Sequence, residues 1–197
     1  VISGLKVGGA ENALVDLVKS QSKSDFIHHL IVLDPEGKMF SRFKEAGFRS
    51  IKIFNFKKSF FKDFIALVKW MRFCKPDIVH TWLYHADLFG GIAARIIGCN
   101  NIVWSIRNSD IILDGGISRS AYLSMKICAL LSYLIPKKIT CVSLEGKKNH
   151  IKQGYDRKKF VIIPNGLDVE KFKFDPLVRL KIRKSLGIQT NTVVIGS

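Results

Sequence analysis

The residues best suited to chemistry fall close together at His80, Thr81, Trp82, Tyr84, His85 and Asp87. A histidine near neutral pH can orient a hydroxyl, stabilise charge or move a proton. Either histidine can equally be a packed, hydrogen-bonded side chain. Trp82 offers a flat face for a sugar ring or for the core. A second group follows at Arg107, Asn108, Ser109 and Asp110. The forked donors of Arg107 suit a phosphate or sugar oxygen, or a salt bridge to Asp87 or Asp110. A third group opens the chain: Gly4, Gly8 and Gly9 precede an apolar-periodic segment carrying Glu11. Glycines before a helix let a ligand approach free backbone N–H groups that favour anions, or simply form a tight turn. Glu11 can also complement the helix dipole. The spacing is not GxGxxG, so a dinucleotide cofactor is not indicated.

These groups need elements to hold them. Pro76 ends whatever precedes it. Residues 77–82 read as a short buried strand and 86–97 as a helix whose small residues Ala86, Gly90, Gly91 and Ala94 allow close packing on a sheet. Gly98 can close that helix in the left-handed conformation. Polar residues at the carboxyl end of a strand mark the ligand edge of an open α/β sheet. Further strands are expected at 26–33, 50–54, 101–105, 138–142 and 160–163, with Val1 and Ile2 as the tail of another. Helices are expected at 10–20, 39–46, 60–74, 118–135, 145–153 and 177–186, and a new strand at 192–195. The fold class is therefore α/β, a Rossmann-like parallel sheet flanked by helices.

Four stretches together resemble the N-terminal domain of GT-B-fold, glycosyltransferase 4-like retaining enzymes. They are the opening glycine loop 2–11, the strand–helix unit around His80-Thr81-Trp82-Leu83-Tyr84-His85-Ala86-Asp87, the segment 103–110, and 162–172 with Pro164-Asn165-Gly166. The resemblance implies a first domain at 1–172, then at 173–197 a linker helix and the first strand of a missing C-terminal donor-binding domain, and hence a truncated chain. It implies a parent enzyme, of hexosyltransferase type, that moves a sugar from a nucleotide-sugar donor to an acceptor with retention. The acceptor would be a lipid-linked or envelope glycan, as in polysaccharide biosynthesis. Donor phosphates would be held mainly by the missing half, so the fragment alone should be inactive. The family commonly carries an H-x-H pair where this chain has His80-Thr81-Trp82, which leaves His85 the first candidate near the reacting sugar and His80 the second. Gly8, Gly9, Glu11, Trp82, Arg107, Asn108 and Asn165 are the substrate-binding candidates. No metal and no cofactor are implied. A nucleotide-sugar 2-epimerase shares this architecture and stays open, as does a non-catalytic basic module for membranes.

The chain has 32 Lys and Arg against 16 Asp and Glu, a formal charge of +16, which predicts attraction to anionic partners. Basic-helix or aromatic-sheet motifs for nucleic acid are not recognisable, so no specific nucleic acid partner is expected. Cys74, Cys99, Cys128 and Cys141 form no CxxC pair and read as reduced core residues of a cytoplasmic protein. The helix expected at 60–74 has excess apolar surface. Phe61, Phe64, Ile65, Val68 and Met71 would face the sheet, leaving Lys62, Lys69, Trp70 and Phe73 to rest on an anionic membrane surface, with Lys57 and Lys58 just upstream. A fully packed helix with snorkelling lysines is the alternative. That would place the protein on the inner face of the cell membrane. In the helix at 118–135, Leu123, Ile127, Leu130, Leu131 and Leu134 are expected to pack on the core. Lys147, Lys148, His150, Lys152, Arg157, Lys158 and Lys159 should form a solvated basic surface, and His28 and His29 are structural or surface residues.

Overall fold

The computed structural model describes residues 1–21, 26–109, 111, 117–166, 169 and 173–195. Its contacts divide the chain into two units, Val1–Asn165 and Gly166–Ser197. The boundary expected at residue 172 lies outside the described residues, as do Asp110 and much of the expected interdomain segment.

In the first unit every strand pairing is parallel. Strand β1 (His29–Val32) pairs with β2 (Ser50–Ile53), and β3 (Val79–Trp82), β4 (Ile102–Ile106), β5 (Lys138–Cys141) and β6 (Phe160–Ile162) form a second ladder in sequence order. Ile2 joins them, bridging Val32 on one side and Trp82 on the other. The spatial order is therefore β2, β1, the opening residues, β3, β4, β5, β6. Direction reverses at Ile2, and such a switch point opens a crevice at the carboxyl ends of the strands.

Seven α-helices are described: α1 (Gly9–Ser20), α2 (Phe40–Lys44), α3 (Phe56–Cys74), α4 (Tyr84–Ile96), α5 (Arg119–Leu131), α6 (Leu144–Lys152) and α7 (Pro176–Ser185). Two apolar cores cover the sheet's two faces, because successive strand residues alternate sides. Leu30, Val32 and Trp82 join α1 and α2 in one; Ile31, Val79, Trp104 and Ile139 join α3, α4 and α5 in the other. Gly91 is where α4 comes closest: a Cβ there would lie 2.9 Å from Trp104 Nε1. Gly98 does take the left-handed conformation, at φ +83.

Several expected faces are turned. On α3 the residues buried against the core are Leu67 and Met71, whereas Phe61 and Ile65 are 81% and 57% exposed. Trp70 instead packs partly on the core, with Lys52 Nζ over its ring at 5.4 Å. On α5 the core side is Ser124, Met125, Cys128 and Ala129, while Leu123, Leu130 and Leu134 are exposed. His150 is fully buried rather than part of a basic surface; its Nε2 meets the Tyr84 hydroxyl at 2.8 Å and its Nδ1 lies 2.7 Å from Gly146 O. Burial lowers its pKa, so it stays neutral and ties α6 to the first turn of α4.

In the second unit, α7 is capped by Asp175, which accepts from Leu177 and Val178, and Gly187 closes it at φ +66. Residues 192–195 are irregular rather than the expected strand. A strand needs a ladder partner, and no described residue supplies one.

Candidate functional site

Three loops meet at the carboxyl edge of the sheet around the switch point. The first is the turn after Ile2. Ser3 donates to Trp82 O at 3.4 Å and accepts from Ala86 N at 3.1 Å, so it caps α4 from the neighbouring strand. Leu5 N bonds Glu36 O, and Met39 N bonds Leu5 O, which lays this turn along residues 34–39. Gly37, at φ +141, is required there, since a Cβ would strike Leu5 O at 1.9 Å.

Gly8 is the extended N-cap of α1, and a Cβ added to it would lie 2.6 Å from Glu11 Oε2. The Glu11 carboxylate therefore turns back on its own helix start and is buried there. Burial raises its pKa, opposed by its own backbone N–H and by Lys6. The α1 N-terminus is thus occupied by the chain's own carboxyl group. Gly9 has open space around it.

The second loop joins β3 to α4. Leu83 has φ 73 and ψ 156, a region populated almost only by glycine. This kink separates two histidines of different character. His80 lies inside β3, not at its end; its ring centroid is 5.0 Å from that of Trp82, and its Nε2 is buried without a hydrogen bond. Burial, reinforced by the nearby Arg107 cation, holds its pKa down at about 3. His85 stands half-buried in the first turn of α4. Burial lowers its pKa too, with the Asp34 carboxylate raising it and Lys57 lowering it. Lys57 pairs with Asp34 at 2.7 Å and Glu36 at 2.8 Å, so it belongs to this rim rather than to a membrane-facing row.

Beneath the kink, Asp87 is fully buried and accepts from Thr81 Oγ1 at 2.5 Å, while its second oxygen has no partner. Burial, opposed by the Thr81 hydroxyl, pushes its carboxyl up to about 8. Asp87 makes no ion pair with Arg107.

The third loop follows β4. Arg107 donates through Nε to Ser105 Oγ at 2.9 Å and through Nη1 to Asn165 Oδ1 at 2.6 Å. Its guanidinium carbon lies 4.0 Å from the centre of the Trp82 ring, a cation–π contact. Ser105 is itself held by Thr140 Oγ1 at 3.0 Å. Trp82 is only 1% exposed, so its ring supports Arg107 instead of presenting a face to solvent. Asn108 follows, half-exposed. Every partner of Arg107 among the described residues is neutral.

The site thus brings together His85, Trp82, Arg107, Asn108 and Asn165 around the switch point, with Gly8, Gly9 and Glu11 beyond the Ser3 turn. Sequence reasoning missed Ser3, Leu83 and the Asp34–Glu36–Lys57 group. The DPEG turn signalled the last only faintly, since Lys57 reaches it across the sheet edge. A cavity of about 660 Å³ opens at the opposite, amino-terminal ends of β1 and β3 between Leu14, Val18, Phe48 and Met71. It is remote from the rim groups, except that His80 and Trp82 reach its inner end.

Comparison with known proteins identifies the family and the fold. Residues 7–171 match the profile described as Glycosyltransferase Family 4. A curated relative from Escherichia coli, UDP-Gal:alpha-D-GlcNAc-diphosphoundecaprenol alpha-1,3-galactosyltransferase, is 32% identical over 137 residues, which is 68% of this chain and 34% of the relative. The solved structure of Anabaena Alr3699/HepE in complex with UDP superposes with a TM-score of 0.75 at 19% identity, covering 94% of this chain and 49% of that one. A glycosyltransferase from Rickettsia africae superposes with a TM-score of 0.69 at 16% identity, covering 96% and 50%. The chain therefore spans a third to a half of the length of these proteins.

Proposed function

The chain belongs to Glycosyltransferase Family 4, and from that premise we propose that the whole protein transfers a hexose from a nucleotide-sugar donor to a lipid-linked or envelope glycan acceptor, with retention. The observation that carries this reading is Arg107: a cation fixed at the switch-point rim by a stacked tryptophan and two neutral side chains, with His85 across the kink. Such a cation is preorganised for oxygen-bearing anions, and charge stabilisation of a departing diphosphate supplies much of the barrier reduction in this kind of reaction. His85, neutral through burial, orients the acceptor hydroxyl or stabilises developing charge; His80, inside its strand, supports Trp82. Gly8, Gly9, Asn108 and Asn165 line the approach. The reading draws on no metal or cofactor from this domain.

The E. coli relative names a UDP-hexose and a diphospholipid-linked N-acetylglucosamine acceptor, and that chemistry is our choice for this protein. The reaction then belongs on the cytoplasmic face of the cell membrane, with the exposed side of α3 (Lys62, Lys69 and Phe73, but not the inward Trp70) turned to anionic lipid. The family match favours transfer over epimerisation and over a purely binding role. The test is incubation of the full-length protein with UDP-galactose or UDP-glucose, with and without a lipid-diphosphate-linked N-acetylglucosamine. Acceptor-dependent release of UDP with a retained anomeric linkage is expected. Isomerised nucleotide-sugar in the absence of acceptor would replace the reading with epimerisation.

A further inference from the structure

Helix α5 turns its largest apolar side chains outward. Leu123, Ile127, Leu130 and Leu134 are 62%, 37%, 75% and 70% exposed, and Tyr133 beside them 58%. Their spacing of four, three and four residues sets them in one stripe along the helix and the turn that continues it. A single exposed leucine needs no explanation, whereas a contiguous row marks a contact surface.

The charge around the stripe is mainly positive; the acidic residue beside it is Asp156, whose backbone N–H donates to Ser132 Oγ at 2.9 Å. Residues 115–144 include Arg119, Lys126, Lys137 and Lys138 and no Asp or Glu. Two more cations close on its end: Arg95 donates to Leu134 O at 2.5 Å, and Lys159 to Ser132 O and Tyr133 O at 2.8 and 2.7 Å. A second copy of the chain would bring these cations against their own equivalents, which is costly. An anionic bilayer would attract them. At 13 residues, α5 is about 20 Å long and too short to span a bilayer, but suited to lie in its interface. The neighbouring helices agree: α5 packs on α4 and α4 on α3 in one layer. The outer side of α3 adds Phe61 and Phe73, 81% and 77% exposed, among Lys62, Lys69 and Arg72.

We propose that α5 seats this domain on an anionic bilayer, with Leu130, Tyr133 and Leu134 entering the acyl boundary and the α3 lysines adding long-range attraction. The proposal rests on the reading that the acceptor is lipid-borne, and it names the helix that brings the protein to it.

The full-length protein is sedimented with vesicles of phosphatidylglycerol and phosphatidylethanolamine, and with pure phosphatidylcholine. Binding only to the anionic vesicles is expected. A Leu130→Asp/Leu134→Asp variant should lose about tenfold or more in partitioning with an unchanged melting temperature. Lys62→Gln/Lys69→Gln should lose only the part that salt removes. In Tyr133→Trp, brominated phosphatidylglycerol should quench the new fluorescence. Undiminished vesicle binding by the aspartate variant would overturn the proposal. So would a parent protein that is dimeric until those aspartates are introduced, since a second copy would then cover the stripe. Transfer to a water-soluble acceptor, measured in parallel, separates the two claims. Vesicle binding that depends on α5 in a protein without transfer supports the docking surface while refuting the enzymatic reading.

Discussion

The two flanks of the switch point are built on opposite electrostatic plans. On the flank of β1, charges cancel locally: Lys57 is tied to Asp34 and Glu36, and Glu11 folds back on the start of α1. On the flank of β4, Arg107 rests on Trp82 and bonds only Ser105 and Asn165. A cation already matched to a carboxylate gains little from a further anion, because the new contact must compete with the old one. A cation held in place by neutral groups has its geometry fixed and its charge available. On the proposed reading the β4 flank is therefore the one that would face an anion, while the β1 flank lies beside His85.

Both flanks stand on one floor, and that gives the largest expected effect. Asp87 is buried and held near 8, above its ordinary 3.8. Because the folded value is raised, the protonated form is the one the fold prefers. Asp87 thus favours folding fully below about pH 4, and that contribution is lost as pH rises towards 8. Asp87→Asn should flatten this decline in urea midpoints measured from pH 4 to 8. His80 works with the reverse sign: its lowered value favours folding above 6.5 and loses that contribution as pH falls towards 3. Loss of both flanks in one transition would show a shared support; separate transitions would break the comparison.

Next in size, Arg107→Met in the full-length protein should lower kcat/KM by about 10²-fold, in the range seen when one preorganised charge-stabilising donor is removed. Arg107→Lys should not restore it, since an ammonium lacks the planar fork and the stacking on Trp82. Near-normal turnover would reduce Arg107 to a strut between Trp82 and Asn165. On the other flank, His85→Ala should cost about tenfold, towards the low end for a positioned polar group. Because burial lowers the pKa of His85, a rate loss from its protonation is expected only at lower pH than for an ordinary histidine.

Much of this arrangement was legible in the sequence. Buried parallel strands read as short apolar runs, and Ser143, Gly98, Gly154 and Gly187 fixed helix ends by local chemistry alone. That the histidine-bearing strand end and the Arg107 loop share one rim of the sheet was expected from the sequence, whereas the hydrogen bond from Arg107 to Asn165 was not. Helix faces were harder. On α5 hydrophobicity favours the leucine stripe as the inner one, yet close packing on α4 selects the smaller Ser124, Cys128 and Ala129, with Met125 beside them. On α3 two apolar stripes compete, and only the sheet's position decides for Leu67 and Met71. His150 and Lys57 were misread for the same reason: their partners Tyr84 and Asp34 are distant in sequence.

The smallest expected effect joins the two flanks. Leu83 sits between Trp82 and His85 in a backbone conformation that costs a side-chain-bearing residue about 1–3 kcal/mol. Its side chain packs on the core beneath α1, which offsets part of that cost. Leu83→Gly relieves the strain, loses the packing and gains unfolded-state freedom worth roughly 0.5–1 kcal/mol. The melting temperature should therefore move little in either direction. Turnover should nevertheless fall, because the kink fixes the angle at which α4 departs and so where His85 points relative to Arg107. A variant with unchanged stability and unchanged kcat would mean that the Ser3 cap on Ala86 alone sets that angle, and that the strain at Leu83 only accommodates the turn.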